Sequence, residues 1–385
     1  MFDVEAFPRG KTAIVSAATF GIGEAPGYSS LDLAAKAAVM AVAASGLKLS
    51  DIDATFTALP SDMFGLAAPE YLGIRPRVAS GNRPGGSSFM THVVQAAHAL
   101  EAGACDAALI LYGSNQRSGA GKLVATPRSA PYETPYKPLY PVSSYALAAA
   151  RHMHEYGTTR EQLAEVAVAA RAWANLNPEA FARGPLTIED CLSARMVSDP
   201  LTTRDCCLVT DGAAAIVMTR ADRARDLVSR PAYVLGGAAA SWHNEISSMP
   251  DLTTTAAKES GARAFAQSGY GPQDMDVVQL YDAFTINTIL FLEDLGFCPK
   301  GEGGRFVEGG AIGPGGRLPV NTNGGGLSCV HPGMYGLFAI AECVRQLQGT
   351  AGERQRDNVR LGVAHGNGLV LSSQATVVLG SAETL

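Results

Sequence analysis

Two regions of this chain carry residue types arranged as chemistry would need them. The first is PVNTNGGGLSCVHPGMYG, residues 319–336. Three consecutive glycines, Gly324, Gly325 and Gly326, suit neither a helix interior nor a strand interior. They belong where the backbone turns left-handed or comes close to a ligand. A helix-periodic apolar run follows, over about residues 335–347. A glycine loop feeding a helix aims N–H groups and the positive end of the dipole at one spot, which suits an anion or a developing oxyanion. His331 sits at that spot, with Pro332 read as a first-turn residue. Gly325 and Gly326 are the candidate backbone contacts. Taken alone, the loop reads equally as a tight turn with a surface histidine. The second region is a pair of strand ends, Tyr281-Asp282-Ala283-Phe284 and His365-Gly366-Asn367-Gly368. A phenol is a ready donor and needs a depressed pKa to act as a base. On residue type alone Tyr281 is a core tyrosine ending a strand. His365 is either a base or proton relay, or a hydrogen-bonded core histidine, and Asn367 is a candidate substrate contact.

The elements that must position these residues repeat. SGLKLSDIDATF from Ser45 aligns with SGYGPQDMDVVQ from Ser268, at an offset of 223 residues (268 − 45). The same offset pairs Glu70 with Glu293, Leu72 with Leu295 and Gly73 with Gly296. Farther on, NRPGGSSF resembles NTNGGGLSC, the larger offset being absorbed by a glycine-rich insert over 301–316. So long a period is a duplicated domain rather than a solenoid. Apolar runs at 11–17, 54–59, 107–112, 208–219, 232–239, 277–280, 359–364 and 375–379 read as strands. Helix-periodic segments read at 31–45, 89–103, 143–156, 160–175, 251–268 and 285–295. Loops are expected at 21–27 and, rich in glycine, at 78–88. Alternation of this kind predicts a layered α/β architecture. The domain division it gives is a first half over 1–115 and 200–250, an inserted loop domain over 116–199, and a second half over 251–385. The insert is punctuated by prolines and carries Arg117, Lys122, Arg128 and Lys137. These are either contacts for substrate phosphates or the charges of a solvated loop.

Composition narrows the function class. The formal net charge is −6 and no basic run stands out, which argues against nucleic acid or an anionic membrane as partner. No apolar stretch is long enough to span a membrane, and the N-terminus lacks a signal-peptide core, so a cytoplasmic protein is expected. Seven cysteines without framework spacing argue for a reducing compartment. No His/Cys cluster has zinc-ligand spacing, so no metal is expected.

The duplication, the insert, and the motifs YDAF, GGGLSCVHPGMYG and HGNG together resemble the thiolase superfamily over nearly the whole chain. The likeness is closest to the sterol-carrier-protein-type thiolase, or lipid-transfer-protein, branch, with a thiolase-like aldolase subgroup within it. The resemblance implies two α/β halves in a five-layered αβαβα core, acyl-CoA substrates, no cofactor beyond the coenzyme A of the substrate, and a homodimer. It implies four catalytic positions. The nucleophilic cysteine falls on Gly85 in Asn82-Arg83-Pro84-Gly85-Gly86-Ser87-Ser88, so the thiol is missing; a slip of alignment offers only Ser87 or Ser88, weaker nucleophiles that need a base. Ser88 is read as an N-cap or a donor to substrate. Tyr281 stands at the second position, His331 matches the third directly, and His365 falls within one residue of the fourth. Cys329, near His331 and a helix start, is a competing nucleophile.

Without an acyl-cysteine, condensation and thiolysis have no covalent carrier. A polarised thioester site with Tyr281, His331 and His365 suits non-covalent retro-aldol cleavage of a 3-hydroxyacyl-CoA. Aldolases of this branch keep the tyrosine of the YDAF motif, have a second tyrosine where His331 stands, and act with a small OB-fold, zinc-ribbon partner protein. The alternatives are an acetyltransferase or 3-ketoacyl-CoA thiolase with a non-standard nucleophile, and a non-catalytic acyl-CoA-binding subunit.

Overall fold

The computed structural model describes residues 7–59, 62, 64–120 and 130–385. The first part of the chain forms β1 (Thr12–Gly23), α1 (Ser30–Ala44), β2 (Ala54–Thr57), α2 (Ala67–Leu72), β3 (Val78–Ser80), α3 (Ser88–Glu101) and β4 (Ala107–Ser114). An excursion follows through α4 (Gln116–Ala120), α5 (Val142–Tyr156), α6 (Arg160–Asn175), α7 (Ile188–Leu192) and a small hairpin of β5 (Met196–Ser198) and β6 (Leu201–Thr202). The chain returns as β7 (Asp211–Arg220) and α8 (Ala221–Leu227). Then come β8 (Ala232–Ser241), α9 (Ala257–Ser268), β9 (Val277–Leu280), α10 (Thr285–Asp294), α11 (Gly303–Phe306), α12 (Gly336–Gln348), β10 (Leu361–Gly368) and β11 (Ser373–Gly380).

The main sheet runs β3-β2-β4-β7-β1-β8-β11-β10-β9. Moving outward from β1, the pairings are antiparallel to β7, antiparallel to β4, parallel to β2 and parallel to β3. Moving outward from β8, they are antiparallel to β11, antiparallel to β10 and parallel to β9, and Val320 adds a parallel bridge to Val278. Strand order and direction therefore repeat, with the fifth strand of the second copy shrunk to one bridge. β8 falls in the 200–250 range that sequence grouped with the first half, yet it pairs along its length with β11. The two copies join where Ala13 and Ile14 meet Tyr233 and Ala232.

Helices fill the space between and outside the sheets. α3 packs against β2, β4 and β7 of one copy and β8, β10 and β11 of the other, while α12 packs on β9, β10, β1 and β7. These two helices form the central layer; α1 and α9 cover the outer faces. Strands enclosed on both sides must be apolar throughout, and every residue of β4 is buried. α12 is buried nearly all round, and the one carboxylate it buries, Glu342, meets Arg354 through bonds of 3.0 and 2.9 Å.

Several boundaries differ from the sequence reading. β1 continues to Gly23 because β7 pairs with it through two register shifts. The expected glycine loop at 78–88 opens with β3, an edge strand. α9 starts at Ala257 rather than 251: Asp251 accepts from the Thr253 N–H and hydroxyl, and Thr255 donates to Asp294, so side chains take the hydrogen bonds a helix start would use. Pro332 lies four residues ahead of α12, in loop. No helix among the described residues is long and apolar enough to cross a membrane. All seven cysteines are free. Lys122 and Arg128 lie outside the described residues.

Removing one member of a buried ion pair leaves the other charge unpaired, at a cost of about 3–5 kcal/mol. Glu342→Ala should lose stability on that scale, measured by denaturant unfolding, because Arg354 is only 5% exposed. A loss under about 1 kcal/mol would show that the pair is not what holds α12 to the 352–354 turn.

Candidate active site

Tyr281 is the residue immediately after β9, and its N–H donates to the His365 carbonyl, so the edge of the sheet fixes its backbone. His331 stands between a π-helical turn, Gly325–Cys329, and α12; its N–H donates to Thr210 Oγ1 at 3.0 Å. The two side chains meet: Tyr281 Oη lies 3.0 Å from His331 Nε2, with the rings edge to face. Both residues are buried. Burial lowers His331 to about 4 and raises Tyr281 well above its ordinary value. At neutral pH the pair is an uncharged phenol and an uncharged imidazole. With the imidazole proton on Nδ1, the phenol donates to the Nε2 lone pair.

The loop that carries His331 is held by Asp282, the residue after Tyr281. Its carboxylate accepts from the Gly326 N–H at 2.6 Å. Gly325 adopts φ +65°, and a Cβ there would stand 2.0 Å from Asp282 Oδ2. Glycine is therefore needed twice at that position, for conformation and for space. The inserted segment braces the same turn: Arg171 on α6 donates to Ser328 Oγ, Asn177 donates to the Asn323 carbonyl, and the N–H groups of Phe181 and Ala182 donate to the carbonyls of Cys329 and Ser328. The N–H groups of Gly325 and Gly326, read from sequence as contacts for an anion, bond instead to Asn323 Oδ1 and Asp282.

The first glycine loop meets the second here. Gly85 has φ +111°, and a Cβ on it would lie 2.6 Å from Gly368 Cα. Ser87 donates to Ser373 Oγ at 2.9 Å, and Ser88 donates to the Gly85 carbonyl at 2.6 Å. Both serines are fully buried, and α3 begins at Ser88 with Ser87 at the N-cap position making no side-chain cap. Ser88 is thus not the N-cap. Cys329 is buried in the π-helical turn, away from any helix start; burial pushes its thiol far up, and Asn177 Nδ2 lies 3.5 Å from its sulfur. The lowered thiol pKa expected from a helix N-terminus is not found.

His365 and Asn367 lie within β10 rather than beyond it, and belong to a different set of bonds. His365 Nδ1 meets Thr376 Oγ1 and Nε2 meets Gln374 Oε1, both at 2.9 Å. Gln374 donates to Asn367 Oδ1, Asn367 donates to Tyr145 Oη, and Tyr145 donates to the Leu369 carbonyl. This run of bonds ties α5 of the insert to the β10–β11 hairpin. Burial lowers His365 to about 4. The structure brings Tyr281 and His331 together; the side-chain bonds of His365 do not reach them. Among the basic residues of the insert, Arg117 bonds to Glu24 and lies over the Phe181 ring, while Lys137 sits in a left-handed turn on the surface. Asp282 and Gly86 went unremarked in the sequence reading. The adjacency of Asp282 to Tyr281 was the available signal for the first. Nothing in the sequence marks which glycine of Gly85-Gly86 faces the phenol.

Comparison with known proteins gives consistent matches. A family model described as Thiolase C-terminal domain-like matches residues 238–381. The chain is 36% identical over 365 residues to a 17-hydroxy-3-oxo-4-pregnene-20-carboxyl-CoA lyase of Mycobacterium tuberculosis, covering 89% of this chain and 92% of that protein. It is 34% identical to a steroid side-chain-cleaving aldolase of Thermomonospora curvata, covering 97% and 98%. A solved structure described as Ltp2-ChsH2(DUF35) aldolase superposes with a TM-score of 0.89 at 32% identity, covering 97% and 98%.

Burial raises Asp282 to about 7. The folded protein then keeps a proton that the unfolded chain releases near pH 4. Its contribution to stability is greatest at low pH and is lost as pH rises through about 7. The melting temperature of the wild type relative to Asp282→Asn should therefore fall between pH 4 and 8. A difference that stays flat across that range would mean that Asp282 ionises in the fold as it does in water.

Proposed function

The chain belongs to the thiolase superfamily, in the branch of sterol-carrier-protein-type thiolases and thiolase-like aldolases, and we propose that it is a carbon–carbon lyase acting on acyl-CoA thioesters. The substrate is a 3-hydroxyacyl-CoA, and the reaction is retro-aldol cleavage without an acyl-enzyme. The observation that carries this reading is the neutral Tyr281–His331 pair, 3.0 Å apart, beside the loop of residues 82–88, which contains no cysteine. The names of the lyase and aldolase relatives support it.

The steps balance without an oxidant. The β-hydroxyl of the substrate gives its proton to the Tyr281 oxygen as the Tyr281 proton passes to His331 Nε2. The bond between the α- and β-carbons breaks, the β-carbon becomes a carbonyl, and the electron pair goes to the α-carbon as a thioester enolate. The imidazolium returns the proton to that carbon. An imidazolium whose pKa burial holds near 4 is a strong donor and gives it up readily. The products are a shortened acyl-CoA and an aldehyde or ketone. Ser88, Gly325, Gly326, His365 and Asn367 serve by holding the two loops and the β10–β11 hairpin. No cofactor is needed beyond the coenzyme A of the substrate.

The domain division that goes with this reading is two thiolase halves, the second opening at β8, with 116–199 as the loop domain. The working form in this reading is a cytoplasmic homodimer with a small OB-fold, zinc-ribbon partner protein; the neighbour described as Ltp2-ChsH2(DUF35) aldolase supports a small partner. Purification of the native complex tests that assembly.

A single acid–base group contributes on the order of 10²–10⁴ in rate. Tyr281→Phe and His331→Ala should each lose kcat on that scale, and the double variant should lose far less than the product of the two. Wild-type turnover by either folded single variant would remove that residue from the mechanism. Mass spectrometry after incubation with acetyl-CoA should find no acetyl group on the chain. Acetylation of Ser87, Ser88 or Cys329 would overturn the non-covalent route.

A further inference from the structure

Two adjacent glycines stand beside the catalytic phenol for different reasons: Gly85 abuts Gly368 and Leu369, and Gly86 faces the Tyr281 ring. Gly85 is left-handed, so its conformation alone demands glycine. Gly86 is not among the residues with positive φ, so its φ does not demand glycine. What it lacks is space. A Cβ at residue 86 would stand 1.9 Å from Tyr281 Cε2 and 2.6 Å from Cδ2, where carbon atoms pack at about 3.5–4.0 Å. The ring cannot simply swing aside. Its hydroxyl is bonded to His331, its faces and edges meet the rings of His331 and Tyr335, and its backbone is tied to β10.

The peptide of Gly86 is closed in from the other sides as well. A Cβ on Gly336, at the start of α12, would lie 2.0 Å from the Gly86 carbonyl oxygen, and one on Gly366 would lie 2.8 Å from it. The loop therefore has no direction in which to retreat from the phenol.

We propose that Gly86 is a positioning residue that sets the reaction type: the volume left by its missing side chain is the volume the Tyr281 ring occupies. A side chain at 86 and a phenol at 281 are mutually exclusive. The chain is committed by packing, and not only by the loss of a thiol, to a mechanism that uses the phenol. A thiol placed at this position by Gly86→Cys, one residue after the position the family resemblance gives to the nucleophile, would displace Tyr281 from His331. This inference rests on the lyase reading for its kinetic consequences, but its geometry stands independently.

The test is a pair of double-variant cycles. In thermal unfolding, Gly86→Ala should destabilise the wild type and should cost much less in a Tyr281→Ala background, where the vacated ring volume takes the new methyl group. The Asn367 carbonyl, 2.8 Å from the added Cβ, penalises both backgrounds alike, so the difference isolates the ring. If Gly86→Ala alone fails to fold while the double variant folds, the exclusion is supported; equal destabilisation in both backgrounds overturns it. In turnover of a 3-hydroxyacyl-CoA, Gly86→Ala should lower kcat on the order of 10²-fold with KM little changed, and should cost nothing further in a Tyr281→Phe background. An equal loss in both backgrounds would show that Gly86 does not act through the Tyr281 hydroxyl. Absence of lyase turnover in the wild type would overturn the functional reading and leave the unfolding cycle to decide the packing.

Discussion

The structure depends on how closely three backbone segments approach one another around the Tyr281 ring. The Gly85-Gly86 loop, the Gly366–Gly368 end of β10 and Gly336 at the head of α12 come together at separations that any Cβ would prevent. That approach lets two central helices, one from each copy of the repeat, begin side by side in one layer. It also leaves the phenol and the imidazole enclosed by protein, where the low local dielectric keeps both neutral. A wider join would admit water, raise the His331 pKa and weaken the hydrogen bond that makes the two groups one acid–base unit.

Enclosure alone does not fix orientation, and here the inserted segment enters. It braces the surroundings of the pair from two sides. α6 and the segment after it grip the π-helical turn that carries His331, while Tyr145 on α5 closes the polar chain that runs from His365 to the β10–β11 hairpin. Asp282 links the two motifs directly, since it follows Tyr281 in sequence and binds the His331 loop through the Gly326 N–H. A movement of the insert would therefore be felt as rotation of His331 against a phenol held by the sheet. The insert thus braces a π-helical turn, a rare element, from outside.

The repeat was legible from sequence because Ser45/Ser268, Asp51/Asp274 and Gly73/Gly296 mark the same helix ends and turns in both copies, and such residues are chosen by local backbone needs. Tyr281 and His331 were legible through their motifs. The choice for His365 between base and hydrogen-bonded core histidine was not: Thr376 and Gln374 on the neighbouring strand use both ring nitrogens, and cross-strand partners cannot be read from spacing along one chain. The same limit applies to the glycine loop. Sequence correctly placed tight backbone at 324–326, but the free N–H groups it implied are taken by Asp282 and Asn323. A glycine run signals close approach without saying whether the thing approached is a ligand or the protein itself.

The chemistry then follows from what the enclosed pair can and cannot do. A thiolate nucleophile needs a cationic neighbour or a helix dipole to hold its pKa down, or a base placed to take its proton. Burial drives the thiols of Cys207, which lies in electrostatic reach of Tyr281, and of Cys329 the other way. A retro-aldol step needs less. One proton leaves an oxygen and one proton reaches a carbon, and a neutral phenol–imidazole pair can carry both without net charge entering or leaving the site. The desolvation that disables a nucleophile here is the same desolvation that makes the imidazolium a willing donor to the enolate. The glycines that admit the ring and the burial that tunes the pair are thus two aspects of one packing arrangement.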